Sequence, residues 1–155
     1  MAFELRPMTN EEVMSWLPKV TENYVLERAR VGEDLEAARK IANEQSAEFA
    51  PGGTPAPGHH FLWQVDGDEV VGAVWLGAPT PRAKATWHVY FVVVDASFQG
   101  RGYGRAAMQA AEIFVKERGG AYLGLNVFGQ NDVARALYDS LGYQMMEMTM
   151  RKVLA

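Results

Sequence analysis

Residues 86–106 read TWHVYFVVVDASFQGRGYGRA, and this stretch decides the fold. Thr86–Val94 is aromatic and β-branched almost throughout, as a strand buried on both faces would be. Gly100, Gly102 and Gly104 then alternate, and an apolar stripe of Ala107, Ala110, Ala111 and Phe114 follows at helical spacing. Arg105, Gln109, Glu112 and Lys116 fall on the other side of that helix, and Gly119-Gly120 ends it. Glycines between a buried strand and a helix start let successive amides turn toward one point, with no Cβ in the way. The helix N-terminus adds partial positive charge, so the turn is an anion cradle suited to phosphate or pyrophosphate.

Three loop types compete for this reading. The P-loop needs Lys and then Ser or Thr after its last glycine, where Arg105-Ala106 stands. The dinucleotide fingerprint wants its third glycine further along and an acidic residue about 20 positions later; both requirements fail. The Gln/Arg-x-x-Gly-x-Gly/Ala loop, which takes the pyrophosphate of coenzyme A, is met at every defined position by Gln99-Gly100-Arg101-Gly102-Tyr103-Gly104.

Working outward, Tyr122–Phe128 reads as a strand, Asn131 caps a helix running to Leu141, Gly142 stops it, and Gln144–Leu154 is a final extended segment. Upstream, Phe3–Met8 is extended, and Thr9 with Glu12 makes a capping box for a helix carrying Val13, Trp16, Leu17, Val20 and Tyr24. Pro18 is expected to kink or interrupt it. Leu35, Ala38, Ile41, Ala42, Gln45 and Phe49 mark a second helix. PGGTPAPG, Pro51–Gly58, is a surface loop rather than a domain linker. His60–Val65 and Val70–Leu76 form a hairpin about Asp66-Gly67, and a second loop runs Gly77–Ala85. The pattern is a mixed α/β sheet with helices on both faces.

The chain has 155 residues, which suits a single domain, 1–155. Hydrophobic residues at 48% and charged residues at 22% are the ordinary globular balance. A net charge of -4 disfavours nucleic acid. With no cysteine there is no disulfide, thiolate metal site or thiol nucleophile, so group transfer goes directly or through another nucleophile. His59 and His60 point to opposite sides of a strand, so no metal is expected. No secretory leader or membrane-length apolar run is seen, and the expected location is cytoplasmic.

Asn131-x-x-Ala134-x-x-x-Tyr138 with Leu141-Gly142-Tyr143 completes a combination that resembles the GNAT superfamily of acyl-CoA N-acyltransferases. The likeness is most specific over 86–143 and fainter elsewhere, from Glu4-Leu5-Arg6-Pro7 to Met150-Arg151-Lys152. It implies a GNAT-like α/β fold of six to seven strands and four helices, with splayed central parallel strands. It further implies acetyl-CoA as acyl donor. Val92, Val93 and Val94 would meet the pantetheine arm through their backbone. Gln99, Gly100, Arg101, Gly102, Tyr103, Gly104 and Arg105 would hold the pyrophosphate, with Asn126 and Asn131 also at the cofactor. Tyr138 would protonate the departing thiolate, since a phenol of ordinary pKa about 10 stays protonated at neutral pH while a thiol sits near 8.5.

The departures matter too. Relatives often carry a carboxylate where Phe91, Val93 and Asn126 stand, so no general base is visible there. His88, an ordered water, or an amine that arrives neutral are the remaining routes. The expected activity is acetyl transfer from acetyl-CoA to a primary amine by direct attack in a ternary complex. The alternatives are a non-catalytic acyl-CoA-binding sensor or interaction domain and, more weakly, acyl transfer to an alcohol. The acceptor is an amine on a small molecule or a protein, neither membrane nor nucleic acid is expected as a partner, and a homodimer stays open. Trp16, Tyr24, Trp63, Trp75 and Trp87 are expected in the core, some of them bordering the acceptor cleft.

Overall fold

The structure, a computed structural model, describes residues 2–81 and 85–155. Residue 1, and residues 82–84 of the expected Gly77–Ala85 loop, lie outside the described residues. The chain forms two compact units, Met1–Leu125 and Asn126–Ala155. In the first unit the order is β1 (Phe3–Pro7), α1 (Asn10–Arg30), α2 (Leu35–Phe49), β2 (His59–Asp66), β3 (Glu69–Gly77), β4 (Thr86–Val94), α3 (Tyr103–Glu117) and β5 (Tyr122–Leu125). The second unit contains α4 (Asp132–Ser140).

The sheet runs β1-β2-β3-β4-β5. The first three pairings are antiparallel, and β4 with β5 is parallel. Gly67 takes the left-handed φ of 62° that lets the β2–β3 hairpin close in two residues. Along β3, Ala73 and Trp75 belong to the core that α1 covers, with Val13, Leu17, Val20 and Phe61. Their neighbours Val74 and Leu76 are fully buried and by alternation face the opposite side, where α3 buries Ala107, Met108, Ala111 and Val115. One sheet thus carries helices on both faces, as the sequence pattern implies.

The expected capping box at the start of α1 is present, and α2 has a cap of its own that no motif announced. Thr9 Oγ1 accepts from the Glu12 amide at 3.1 Å while Glu12 Oε1 accepts from the Thr9 amide at 2.9 Å. Asp34 caps α2 by accepting from the Ala37 amide.

Four expectations need correction. Pro18 does not interrupt α1, which is helical from Asn10 to Arg30. The carbonyl deprived of a donor belongs to exposed Met14, where water can serve, and the buried stripe from Val13 to Val25 carries the helix onward. Tyr24 is not core; it is 39% exposed and lines a groove with Ala38, Ile41 and Ala42 of α2. The buried face of α3 is turned from the expected stripe, so Met108 and Val115 are buried and Phe114 lies at its margin. Finally, the described residues form five strands rather than six to seven. β5 stops at Leu125 instead of Phe128, and Gln144–Leu154 forms no strand. A strand exists only by pairing, and residues 126–155 offer this segment no ladder within their own unit.

Candidate active site

Strand β4 carries the decisive irregularity. Trp75 opposes Phe91 while Leu76 opposes Val89, so Tyr90 is an extra residue bulged out of the ladder. The parallel pairing with β5 ends at Val89↔Leu125, one residue before that bulge. A bulge bends its strand and increases its twist. β4 therefore continues through Tyr90–Val94 past the end of its ladder with β5, and Phe91–Val94 stay paired to β3.

Backbone direction along this free stretch follows from its neighbours. The Val93 carbonyl faces β3, since a Cβ on Gly72 would meet it at 2.1 Å. Alternation then turns the amide and carbonyl of Val92 to the opposite edge. Gln64, fully buried on β2, braces this register by donating from Nε2 to the carbonyls of Ala73 and Val93, both at 2.9 Å. Its Oε1 is buried without a partner among the described residues.

The glycine loop begins where β4 ends. Gln99 donates from Nε2 to the Val94 carbonyl at 3.0 Å, which folds the loop back onto the strand. Gly100 and Gly102 have φ of 77° and 86°, a region L side chains rarely adopt. A Cβ at either would meet nothing within 4 Å beyond its chain neighbours among the described residues, so both face open space. Gly102 is the N-cap of α3 and supplies no side-chain cap. The N-cap therefore offers the first-turn amides of α3 no side-chain acceptor, and an α-helix gives its first amides no intrahelical one. An exposed cradle of amides at a helix start fits a phosphate or pyrophosphate group. Arg101 is exposed beside it, its guanidinium 5.6 Å from the Phe98 ring, and Arg105 lies in the first turn of the helix.

Tyr103 behaves differently from its loop neighbours. Its side chain turns inward, is 9% exposed, and donates to Asp66 Oδ2 at 2.5 Å. That bond holds the phenol above its ordinary pKa, and burial adds to the effect. Only the backbone of Tyr103 faces the cradle.

In the second unit Asn131 Oδ1 accepts from the Ala134 amide at 3.2 Å, so its cap role is real. Tyr138 sits on α4 with its ring edge-on to Tyr143 at 5.8 Å, and burial pushes its phenol up, which keeps it protonated. Gly142, at φ 90°, terminates α4 as expected. Asn126 is exposed.

The candidates for a base differ in their surroundings. Phe91 packs edge-on against Trp16 at 6.0 Å and Val93 leans on the same core, so neither position offers a proton acceptor. His88 packs edge-on against Tyr90 at 4.9 Å, and burial holds it below its usual range, hence neutral at pH 7. His59 and His60 do point to opposite faces. His59 stacks on Phe49 and its Nδ1 accepts from Trp75 Nε1 at 3.0 Å, whereas His60 stacks on Trp87. Burial lowers both.

Sequence reasoning missed the Tyr90 bulge, Gln64 and Asp66. The strand 86–94 is uniformly strand-forming, so nothing local marks one residue as extra. A lone Gln or Asp on a strand carries no motif.

The sequence profile of the acetyltransferase (GNAT) family matches residues 21–143. A Bacillus subtilis protein named YycN, an uncharacterized N-acetyltransferase, is 31% identical over 157 residues, covering 99% of this chain and 100% of that protein. The crystal structure of YycN superposes with a TM-score of 0.89 at 28% identity, covering 99% of each chain. An N-acetyltransferase from Thermoplasma acidophilum, solved in complex with coenzyme A, matches with a TM-score of 0.65 at 14% identity over 96% of this chain and 94% of that one, a likeness of fold alone. Among the described residues no helix is long and apolar enough to cross a membrane. The profile match spans the bulged strand, the glycine loop and α4 together, and the chain belongs to the acetyltransferase (GNAT) family of acyltransferases.

Proposed function

We propose that residues 1–155 act as one N-acetyltransferase domain that moves the acetyl group of acetyl-CoA to a primary amine by direct attack in a ternary complex. The observation that carries this reading is the run of β4 past its ladder with β5 into the open-faced glycine loop. Backbone groups of Val92 and Val94 bind an amide-bearing arm along that edge, with Val93 between them turned to β3, which satisfies polar groups that would otherwise cost about 1–3 kcal/mol each when buried unpaired. The amides from Gly100 to Arg105 hold the pyrophosphate, with Arg101 adding charge. The Val92 amide polarises the thioester carbonyl. Acetyl-CoA supplies an activated acyl group; the chain's own part is to bind it, orient it and move protons. Tyr138 gives its phenolic proton to the departing sulfur, and Asn126 and Asn131 line the cofactor. With no cysteine in the chain, direct transfer needs no acyl-enzyme on sulfur.

The test is a panel of primary amines with purified protein and acetyl-CoA, reading free coenzyme A. Turnover with any amine supports the reading. A second reading, an acyl-CoA-binding sensor, is favoured by the apolar Phe91 and Val93 where a base would stand. Tight acetyl-CoA binding with no turnover across the panel would establish it instead.

A further inference from the structure

We propose that Tyr103 is a positioning residue for the acyl-donor site, pinned by Asp66 so that the amides of the glycine loop converge. This rests on the reading that the loop holds the donor's pyrophosphate. The loop has a physical problem to solve. Glycines at 100, 102 and 104 free its amides to converge but leave it little to pack with and a large conformational entropy. Tyr103 is its one large side chain turned into the protein, and it is the first residue of α3. Three contacts fix it. Its hydroxyl donates to Asp66 Oδ2, its ring stacks on Phe3 at 6.2 Å and 28°, and Phe98 meets it edge-on at 6.1 Å.

The sheet supplies this seat as one unit. Phe3 and Asp66 are directly opposed in the β1–β2 register, so both side chains stand on the same face. Asp66 is itself held at the end of β2 by the hairpin, whose Gly67 amide donates to the Ala2 carbonyl at 3.0 Å. The direction of the first turn of α3 is therefore set from strands β1 and β2, on the far side of β3 from the bulged strand. Gln99 tethers the other end of the loop to Val94. With both ends fixed, the glycines between them have few conformations left.

What Asp66 contributes is an acceptor for the phenol, more than a charge. Its carboxylate stands on the same side as a proposed anion site, so its charge alone opposes binding. Asp66→Asn keeps an oxygen acceptor and removes the charge; Asp66→Ala removes both. Tyr103→Phe keeps the ring contacts and removes the donor.

The experiment measures acetyl-CoA affinity by calorimetry, and hydrogen exchange of amides 100–106 without ligand, in wild type and these variants. Urea unfolding confirms that each is folded. Tyr103→Phe and Asp66→Ala are each expected to weaken affinity on the order of tenfold, because a smaller fraction of molecules holds the converged loop. Both should speed exchange across the loop. Asp66→Asn should restore slow exchange and bind within about twofold of wild type or tighter, and the double variant Tyr103→Phe/Asp66→Ala should be no weaker than either single. Tyr103→Phe with wild-type affinity and exchange would overturn the proposal, as would Asp66→Asn matching Asp66→Ala. If wild type itself fails to bind acetyl-CoA, the donor reading falls. Faster exchange in Tyr103→Phe and Asp66→Ala, rescued in Asp66→Asn, would still establish the pin.

Discussion

Gly77 lies against the ring of Tyr90 so closely that a Cβ on Gly77 would stand 2.3 Å from Tyr90 Cε2. The bulged residue of β4 thus lays its side chain over the last residue of β3. The ring cannot easily step aside, because Phe49, His59, Trp75 and His88 surround it at centroid distances of 5.4, 5.3, 4.9 and 4.9 Å. Gly77 leaves the space that admits the bulge. Gly77→Ala is expected to cost about 1–3 kcal/mol by overpacking, read from urea midpoints. In a Tyr90→Leu background the same change should cost clearly less, since the clash is with the ring. Equal costs in both backgrounds would mean that the ring is not the obstacle.

Gly102 tests the cradle itself. At φ 86° with open space ahead of it, a Val here strains the backbone and puts its side chain into the space proposed for the pyrophosphate. Gly102→Val should lose acetyl-CoA affinity by more than about tenfold, measured by calorimetry on protein shown to be folded. Gly119→Val is the control: it also has a positive φ, 79°, and open space ahead of it, but lies past the C-terminal end of α3. It should cost stability while binding the ligand as wild type does.

Tyr138→Phe keeps the ring against Tyr143 and removes only the proton. Acetyl-CoA affinity should change little, while the single-turnover rate with a good amine acceptor falls by about 10²–10⁴ if proton transfer limits it. An unchanged single-turnover rate would make Tyr138 a packing residue. The raised phenol pKa means that this donor is not itself lost at moderately alkaline pH.

All three histidines are held below their ordinary value, first of all by burial. The sign follows directly. Below pH 6.5 the unfolded chain takes up histidine protons that the folded chain resists, so stability falls as pH drops from that value. His59 adds a specific reason, since its Nδ1 must stay unprotonated to accept from Trp75. Urea midpoints should therefore decline between about pH 7 and pH 5.5, above the range of the carboxylates. The slope should flatten in His88→Gln and His59→Gln. A pH-independent midpoint across that window would contradict the burial of these rings.

Much of the site is legible in the amino-acid sequence, and for a local reason. Gln99–Gly104 encodes its own geometry, because alternating glycines before a helix leave few alternatives for the backbone. Thr9 with Glu12 and Asn131 before Ala134 are caps whose donors and acceptors lie within three residues, so the sequence alone determined those helix starts. The hairpin about Gly67 and the mixed sheet with helices on both faces are legible on the same footing. What only the tertiary structure decided depends on partners far apart in the chain. The bulge at Tyr90 is accommodated because Gly77, which pairs with His88, leaves room for the Tyr90 ring. Gln64 matters because Val93 lies two strands away, and Tyr103 turns inward because Phe3 and Asp66 form a seat 100 and 37 residues earlier. Pro18 is tolerated because a buried stripe on either side holds α1 together. Short-range hydrogen bonds and glycine dihedrals are written within a few residues, whereas the direction of a strand and the seat of a ring are set by whatever the fold brings against them.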